Sequence, residues 1–550
     1  MDTDYMNSIR HTVVVEVQQG KLLGSIKEGV LGSMYKAFLG IPYAAPPIGS
    51  LRFRDPQPPV SWKDIRVATD DMGVMSAQLC RKSPKNVIGT EDCLYLNVYV
   101  PYEQCEEVLH KAVMVWIHGG NFHYGSGNYS EIRPDYFMKK DVILVTINYR
   151  LGILGFLNLG HKHACGNQGL KDQIAALEWI KENIFNFGGS PDKITVFGNG
   201  TGAISTHLLM LSPLSKGLFQ KAILQSGVAL CNWAIKEKQT EGFELASKLG
   251  CSSKELETIL AYLHKIPYRV LVLAEATIVS EKKRRIRKVI FGPTIDKESL
   301  NPFLPCPVRE LFENNNNNIP ILIGHNTDEI FESYPQMTDE KALKDEDLTT
   351  YVEIFAGQHN LDKVPNYTKQ ILKHYGQVSS FKTWHSDVIK RCLSDLYYNH
   401  AIRSVVINRA EQKMKTYFYL FSYNGDEKKI KEHSTESSGN ITSEKKIYRD
   451  DTMSNIVTHG DELAYLFYMP DQRNKNLFAM TRKDYDIINM ITLIWSNFAK
   501  EGDPNFETTY GDSDWKDITS KNELMCFEIN RQPSGWIKAR KHLILTDKWY

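Results

Sequence analysis

One alternation in the first half of the chain leaves few folds open. AVMVWI (112–117) and VILVTI (142–147) are short, continuous apolar runs rich in β-branched residues, as buried strands require. Leu170, Ile174, Leu177, Ile180 and Ile184 then recur at helical spacing, and Gly188-Gly189 stops the helix. KITVF (193–197) opens another strand, a glycine-rich turn follows, and a second helical pattern begins. Strand, helix, strand, glycine turn, helix is the pattern of a mostly parallel sheet with crossover helices. The expected class is α/β, with a large central sheet flanked by helices. No internal repeat is visible, and the strand and helix patterns run on past every polar stretch. Length alone, at 550 residues, would suggest several domains, but no polar stretch need be a boundary.

Composition narrows the partners. Sixty-six basic and 65 acidic residues give a formal charge of +1, which offers no attraction for nucleic acid or an anionic membrane. The apolar runs are of strand length, far short of the roughly 20 residues of a membrane helix, so no integral membrane segment is expected. The N-terminal MDTDYMNSIRHTVVVEV has no basic stretch leading into an apolar one, so a cytoplasmic location is expected. Nine scattered cysteines then remain reduced, although Cys80 and Cys93 are spaced to close a short loop in an oxidising compartment. The sequons at Asn128, Asn366 and Asn440 are silent on the same expectation. Neither a metal nor a cofactor is expected. The polar stretch 425–451 reads as a flexible surface excursion, and KKRRIRK (282–288) as a solvated flank in preference to an import signal.

FGNGTGAIS (197–205) lies at one strand-to-helix handover. It has the G-x-?-x-G frame of a nucleophile elbow, the tight turn that presents a catalytic serine, but the middle position is Gly200. Serine hydrolysis also needs a base, an acid to orient it and backbone donors for the oxyanion. His118-Gly119-Gly120-Asn121 follows a strand-like run, where an HGGG-type loop supplies such donors. Glu329, after IPILIG, suits the acid, and His459, in THGDELAY, suits the base. Singly, each is more often a satisfied structural residue. Together they stand in the order elbow, acid, histidine, which is that of α/β hydrolases.

A resemblance to a known family extends over nearly the whole chain, and it implies one domain over 1–550. FLGIPYAAPPIGSLRF (38–53), EDCLYLNVYVP (91–101), HGGNF (118–122), INYRLGILGFL (147–157), GNQGLKDQIAALEWIKENIFNFGGSPDKITVFG (166–198), GLFQKAILQSG (217–227), FGPTID (291–296), HGDELAYLF (459–467) and WSNFAKEGDPN (495–505) resemble the type-B carboxylesterases. That family includes cholinesterases, insect esterases and non-catalytic adhesion relatives, and the phrasing is most similar to the intracellular insect α-esterases. The resemblance implies an α/β-hydrolase fold, with Glu329 as acid, His459 as base and the N–H groups of Gly120, Asn121 and Thr201 as oxyanion donors. The family's elbow is G-E-S-A-G. This chain has Gly198-Asn199-Gly200-Thr201-Gly202, so Gly200 replaces the nucleophile. Asn121 stands where a third glycine is expected, and Ile330 where a glycine follows the acid. No tryptophan lies between Cys80 and Cys93, so the aromatic cradle for choline esters is missing.

Glycine at 200 adopts positive φ without the Cβ penalty, so the turn should form, and Gly200→Ser is expected to be neutral or slightly destabilising. Asn121 tolerates positive φ, so its loop can keep its course; whether its side chain blocks or completes the oxyanion hole is open. Thr201 should point away from His459, and neither Ser205 nor Ser226 lies at the elbow. Three readings follow. The first is a binder of an ester, a lipid-like molecule or a protein partner. The second is a residual hydrolase using water activated by the Glu329–His459 pair. The third is an inherited hydrogen-bonded pair with no present role.

Overall fold

The apolar runs form a parallel core, and antiparallel pairs extend it at both edges. A computed structural model describes residues 12–538 apart from 72, 82, 103–109, 232, 237–238, 279–288, 315–316, 331–347, 357, 376–385, 426–456, 471–479, 509–510, 513, 519–523 and 531–533. The basic cluster 282–288 and nearly all of the polar excursion 425–451 lie outside the described residues.

Thirteen strands make one sheet: β1 (Thr12–Val17), β2 (Gly20–Glu28), β3 (Met34–Pro42), β4 (Arg66–Val67), β5 (Tyr95–Pro101), β6 (Lys111–Ile117), β7 (Val142–Ile147), β8 (Gly189–Asn199), β9 (Lys221–Gln225), β10 (Ile321–Asn326), β11 (Thr416–Phe421), β12 (Met525–Ile529) and β13 (Ser534–Lys538). Their order is β1-β2-β3-β5-β7-β6-β8-β9-β10-β11-β12-β13, with β4 on β2. Along that order pairing is parallel from β7 through β12 and antiparallel outside it, while β4 pairs parallel with β2. Every described residue of β6, β7, β9 (from Ala222), β10 and β11 is buried, as expected of strands covered on both faces.

The helices that concern the site are α1 (Gly152–Phe156), α2 (Gln168–Asn183), α3 (Thr201–Leu211), α4 (Tyr268–Glu275), α5 (His400–Glu411) and α6 (Arg482–Glu501). The amphipathic pattern from Leu170 becomes α2, and its last turn tightens to a 3₁₀ helix over Ile184–Phe187 before Gly188 caps it at φ 83°. α2 is tied to the end of β7 by a buried ion pair: Arg150 donates from Nε to Asp172 Oδ2 at 2.8 Å and from Nη2 to Oδ1 at 2.6 Å. KITVF is the middle of a longer strand, because the polar Gly189–Asp192 start also runs along β6.

The Cys80–Cys93 bridge does not form. Both are free thiols, as is every other described cysteine. Cys93 is fully buried with its thiol against Ser76, and Cys80 ends the first strand of the short hairpin Gln78–Ile88.

Candidate functional site

Everything singled out by the sequence lies at the carboxyl ends of parallel strands, where an open α/β sheet places its ligands. β8 runs between β6 and β9, with Gly198 opposite Ile117 on one side and Leu224 on the other. It ends at Asn199. Gly200 then turns the chain at φ 57° and ψ −118°, and α3 begins at Thr201. The flanking glycines are needed sterically: a Cβ on Gly198 would stand 2.6 Å from the Ile117 carbonyl oxygen, and one on Gly202 would overlap it. α3 can therefore descend directly onto the end of β6. The turn is held by the Gly200 N–H, which donates to Gln225 O at 2.9 Å, and by its carbonyl, which accepts from Ile204 N at 2.9 Å.

The loop after β6 packs against this turn. A Cβ on Gly119 would lie 2.6 Å from Asn199 O and 3.9 Å from Gly202 N, which measures how closely loop and elbow approach. Gly120 has φ 116°, and its carbonyl accepts from the N–H groups of His123 and Tyr124, each at 3.0 Å. Asn121 takes φ 58°, the left-handed conformation that its residue type tolerates, so the loop keeps its course without the third glycine. The N–H groups of Gly120, Asn121 and Thr201 make no hydrogen bond among the described residues. His118 serves the loop from beneath: burial lowers its pKa to about 4, opposed by its bond to Gly119 O, and its ring stacks on Tyr149 at 4.5 Å.

Glu329 and His459 meet. His459 Nδ1 is 2.6 Å from Glu329 Oε2, and Asn326 N donates to Glu329 Oε1 at 2.8 Å. Glu329 is wholly buried, which by itself would raise its pKa. The hydrogen bond and charge of His459, the nearby Ser226 hydroxyl and the Asn326 N–H outweigh this and hold it below the ordinary carboxylate value. Ser226 Oγ contributes from close by without reaching regular hydrogen-bond geometry. A carboxylate that accepts at Nδ1 places the proton there and leaves Nε2 facing outward. That nitrogen lies 2.6 Å from where a Cβ on Gly200 would be, with Cε1 at 3.1 Å. The imidazole thus stands partly in the space of a side chain at 200. Tyr398 backs the ring at 4.9 Å, carried on the π-helical turn Asp395–Asn399 that leads into α5.

Four residues absent from the sequence reading complete the arrangement. Glu462, fully buried, accepts from Asn199 Nδ2 at 2.7 Å, Gln225 Nε2 at 3.0 Å and Asn326 Nδ2 at 2.7 Å. These amides are the last residues of β8, β9 and β10, three adjacent strands. Trp495 Nε1 donates to Gln225 Oε1 at 3.2 Å and so fixes which end of that amide faces Glu462. Burial and then the charge of Glu329 raise the Glu462 pKa, against the Asn326 bond and the charge of His459. A signal was available: an amide closes each strand, and an acid follows His459 by three residues in HGDE. Ile330 fills the expected glycine position as a buried residue, its N–H on Ser394 Oγ at 3.0 Å.

Sheet order, glycine turn and strand-end constellation together define an α/β-hydrolase fold. The chain belongs to the carboxylesterase family, whose model matches residues 11–545. It is 34% identical over 524 residues to juvenile hormone esterase from Tribolium castaneum, covering 90% of this chain and 84% of that protein. A carboxylic ester hydrolase from Bombus ignitus is 32% identical over 516 residues, covering 92% and 87%. Neuroligin-2 from Homo sapiens is 31% identical over 548 residues, covering 90% of this chain and 61% of the relative. The crystal structure of juvenile hormone esterase from Manduca sexta, with OTFP covalently attached, superposes with a TM-score of 0.78 at 25% identity, covering 96% and 97%.

Proposed function

We propose that this protein is a cytoplasmic binder built on the carboxylesterase fold, inactive or severely impaired in serine ester hydrolysis, whose ligand is an ester or lipid-like molecule or a protein partner. One observation carries this: position 200 has no side chain, and His459 Nε2 stands 2.6 Å from where its Cβ would begin. Without a hydroxyl at the elbow no acyl-enzyme forms, and deleting such a nucleophile removes about six orders of magnitude from turnover. Binding and oxyanion donors alone leave roughly 10³–10⁴ over water. That relatives are named both as esterases and as a neuroligin supports a role other than ester hydrolysis.

A fluorophosphonate probe tests the reading directly. The unmodified chain should show no stoichiometric labelling, and Gly200→Ser, alone or with Asn121→Gly, should gain it. Labelling of the unmodified chain would overturn the proposal, because it would reveal another nucleophile. The intact 2.6 Å Glu329–His459 bond favours a second reading, hydrolysis by a water that this pair activates. Turnover of p-nitrophenyl acetate that collapses in His459→Ala would establish that route in place of the binder.

A further inference from the structure

The same site carries a preference among ligands, and the inference rests on the binder reading above. In a serine hydrolase the imidazole Nε2 is occupied by the serine hydroxyl, whose proton it takes. Here Nδ1 is committed to Glu329 at 2.6 Å and no hydroxyl stands at 200, so Nε2 presents a lone pair to the ligand. An ester cannot satisfy it, because neither ester oxygen carries a proton. A carboxylic acid can.

The remaining polar groups suit the same chemistry. The N–H groups of Gly120, Asn121 and Thr201 are unpaired among the described residues, and the loop and elbow bearing them are in contact. Thr201 adds a hydroxyl that is buried, in a residue only 3% exposed, and that makes no hydrogen bond. Thr201 is also the first residue of the eleven-residue α3, whose N-terminal partial positive charge favours an anion. Glu329 and Glu462 both lie within electrostatic reach of His459, so an imidazolium formed there has buried carboxylates to meet it. The apolar share of a ligand has apolar neighbours as well. Leu230, Trp233, Phe355 and Leu396 pack around a void that holds about one water, so an aliphatic tail must displace these apolar side chains; Tyr398 links them to the imidazole, 5.6 Å from the Trp233 ring and 4.9 Å from that of His459.

We propose that the site recognises a free aliphatic carboxylic acid in preference to its esters. One carboxylate oxygen accepts from the backbone N–H groups of Gly120, Asn121 and Thr201. The other faces His459 Nε2, which takes up one proton, from the acid itself or from the buffer when the ligand arrives as its carboxylate, to leave a carboxylate–imidazolium pair. No other bond forms or breaks.

Calorimetric titration of the full-length protein with octanoate, methyl octanoate and 1-octanol provides the test. Octanoate should bind at least tenfold more tightly than its methyl ester. His459→Gln should bring the two within about twofold while its melting temperature and circular dichroism stay native. Should that variant not fold, Gly200→Ser, whose hydroxyl competes for Nε2, should reduce the acid preference. Failure of octanoate to bind, or an ester binding as tightly as the acid, overturns the inference. That outcome differs from failure of the binder reading, which falls on probe labelling of the unmodified chain.

Discussion

At φ 57° and ψ −118°, Gly200 occupies a region where an L side chain costs of order 1–3 kcal/mol, and its Cβ would also press on His459 Nε2. The Gly200→Ser variant should therefore lose about 1–3 kcal/mol of unfolding free energy in urea titrations, and adding His459→Ala should return the share due to contact with the ring. A serine variant as stable as the parent would contradict this. From the sequence the substitution looks nearly neutral, because backbone freedom is a local property and the seat of an imidazole 259 residues away is not. Asn121 shows the opposite case. Its positive φ follows from residue type alone, whereas the direction of its side chain depends on the packed loop.

Among the elements, the parallel strands and the elbow helix were the most legible parts. Continuous β-branched runs admit little but buried strands, and Gly198 and Gly202 fit only where strand and helix nearly touch. Gly202→Ala makes that contact measurable: its Cβ would overlap the Ile117 carbonyl, so the variant should lose about 3 kcal/mol or more, or fail to accumulate folded. Wild-type melting behaviour would refute the close approach. Strand ends were harder to read. Asn199, Gln225 and Asn326 are ordinary amides until three strands lie side by side and Glu462 arrives from a distant loop. Sequence motifs pointed to the candidate residues; only topology reveals those that hold them.

Across the whole molecule, a buried charge pair ties the sheet to the helix that covers it. Arg150 reaches Asp172 through two side-chain donors and also donates to Arg54 O at 2.7 Å. Asp172→Asn leaves that guanidinium without its counter-charge in the interior, so stability should fall by about 3–5 kcal/mol in denaturant titrations; a loss below 1 kcal/mol would show the pair to be dispensable. Glu329 adds a pH dependence of definite sign. Its folded carboxyl titrates below its unfolded value of about 4.3, so its contribution is complete above that pH and lost as pH falls through the folded value. Glu329→Gln should accordingly flatten the acid limb of a stability–pH curve, and an unchanged limb would refute the assignment.

The position of His459 has one more consequence, for inheritance. A serine arriving at 200 by a single codon change would meet a ring already standing within 2.6 Å of its Cβ, and would cost the fold stability before the base had retreated to use it. Any chemistry gained through that hydroxyl would come with a less stable fold. The settled imidazole thus weighs against any side chain at 200.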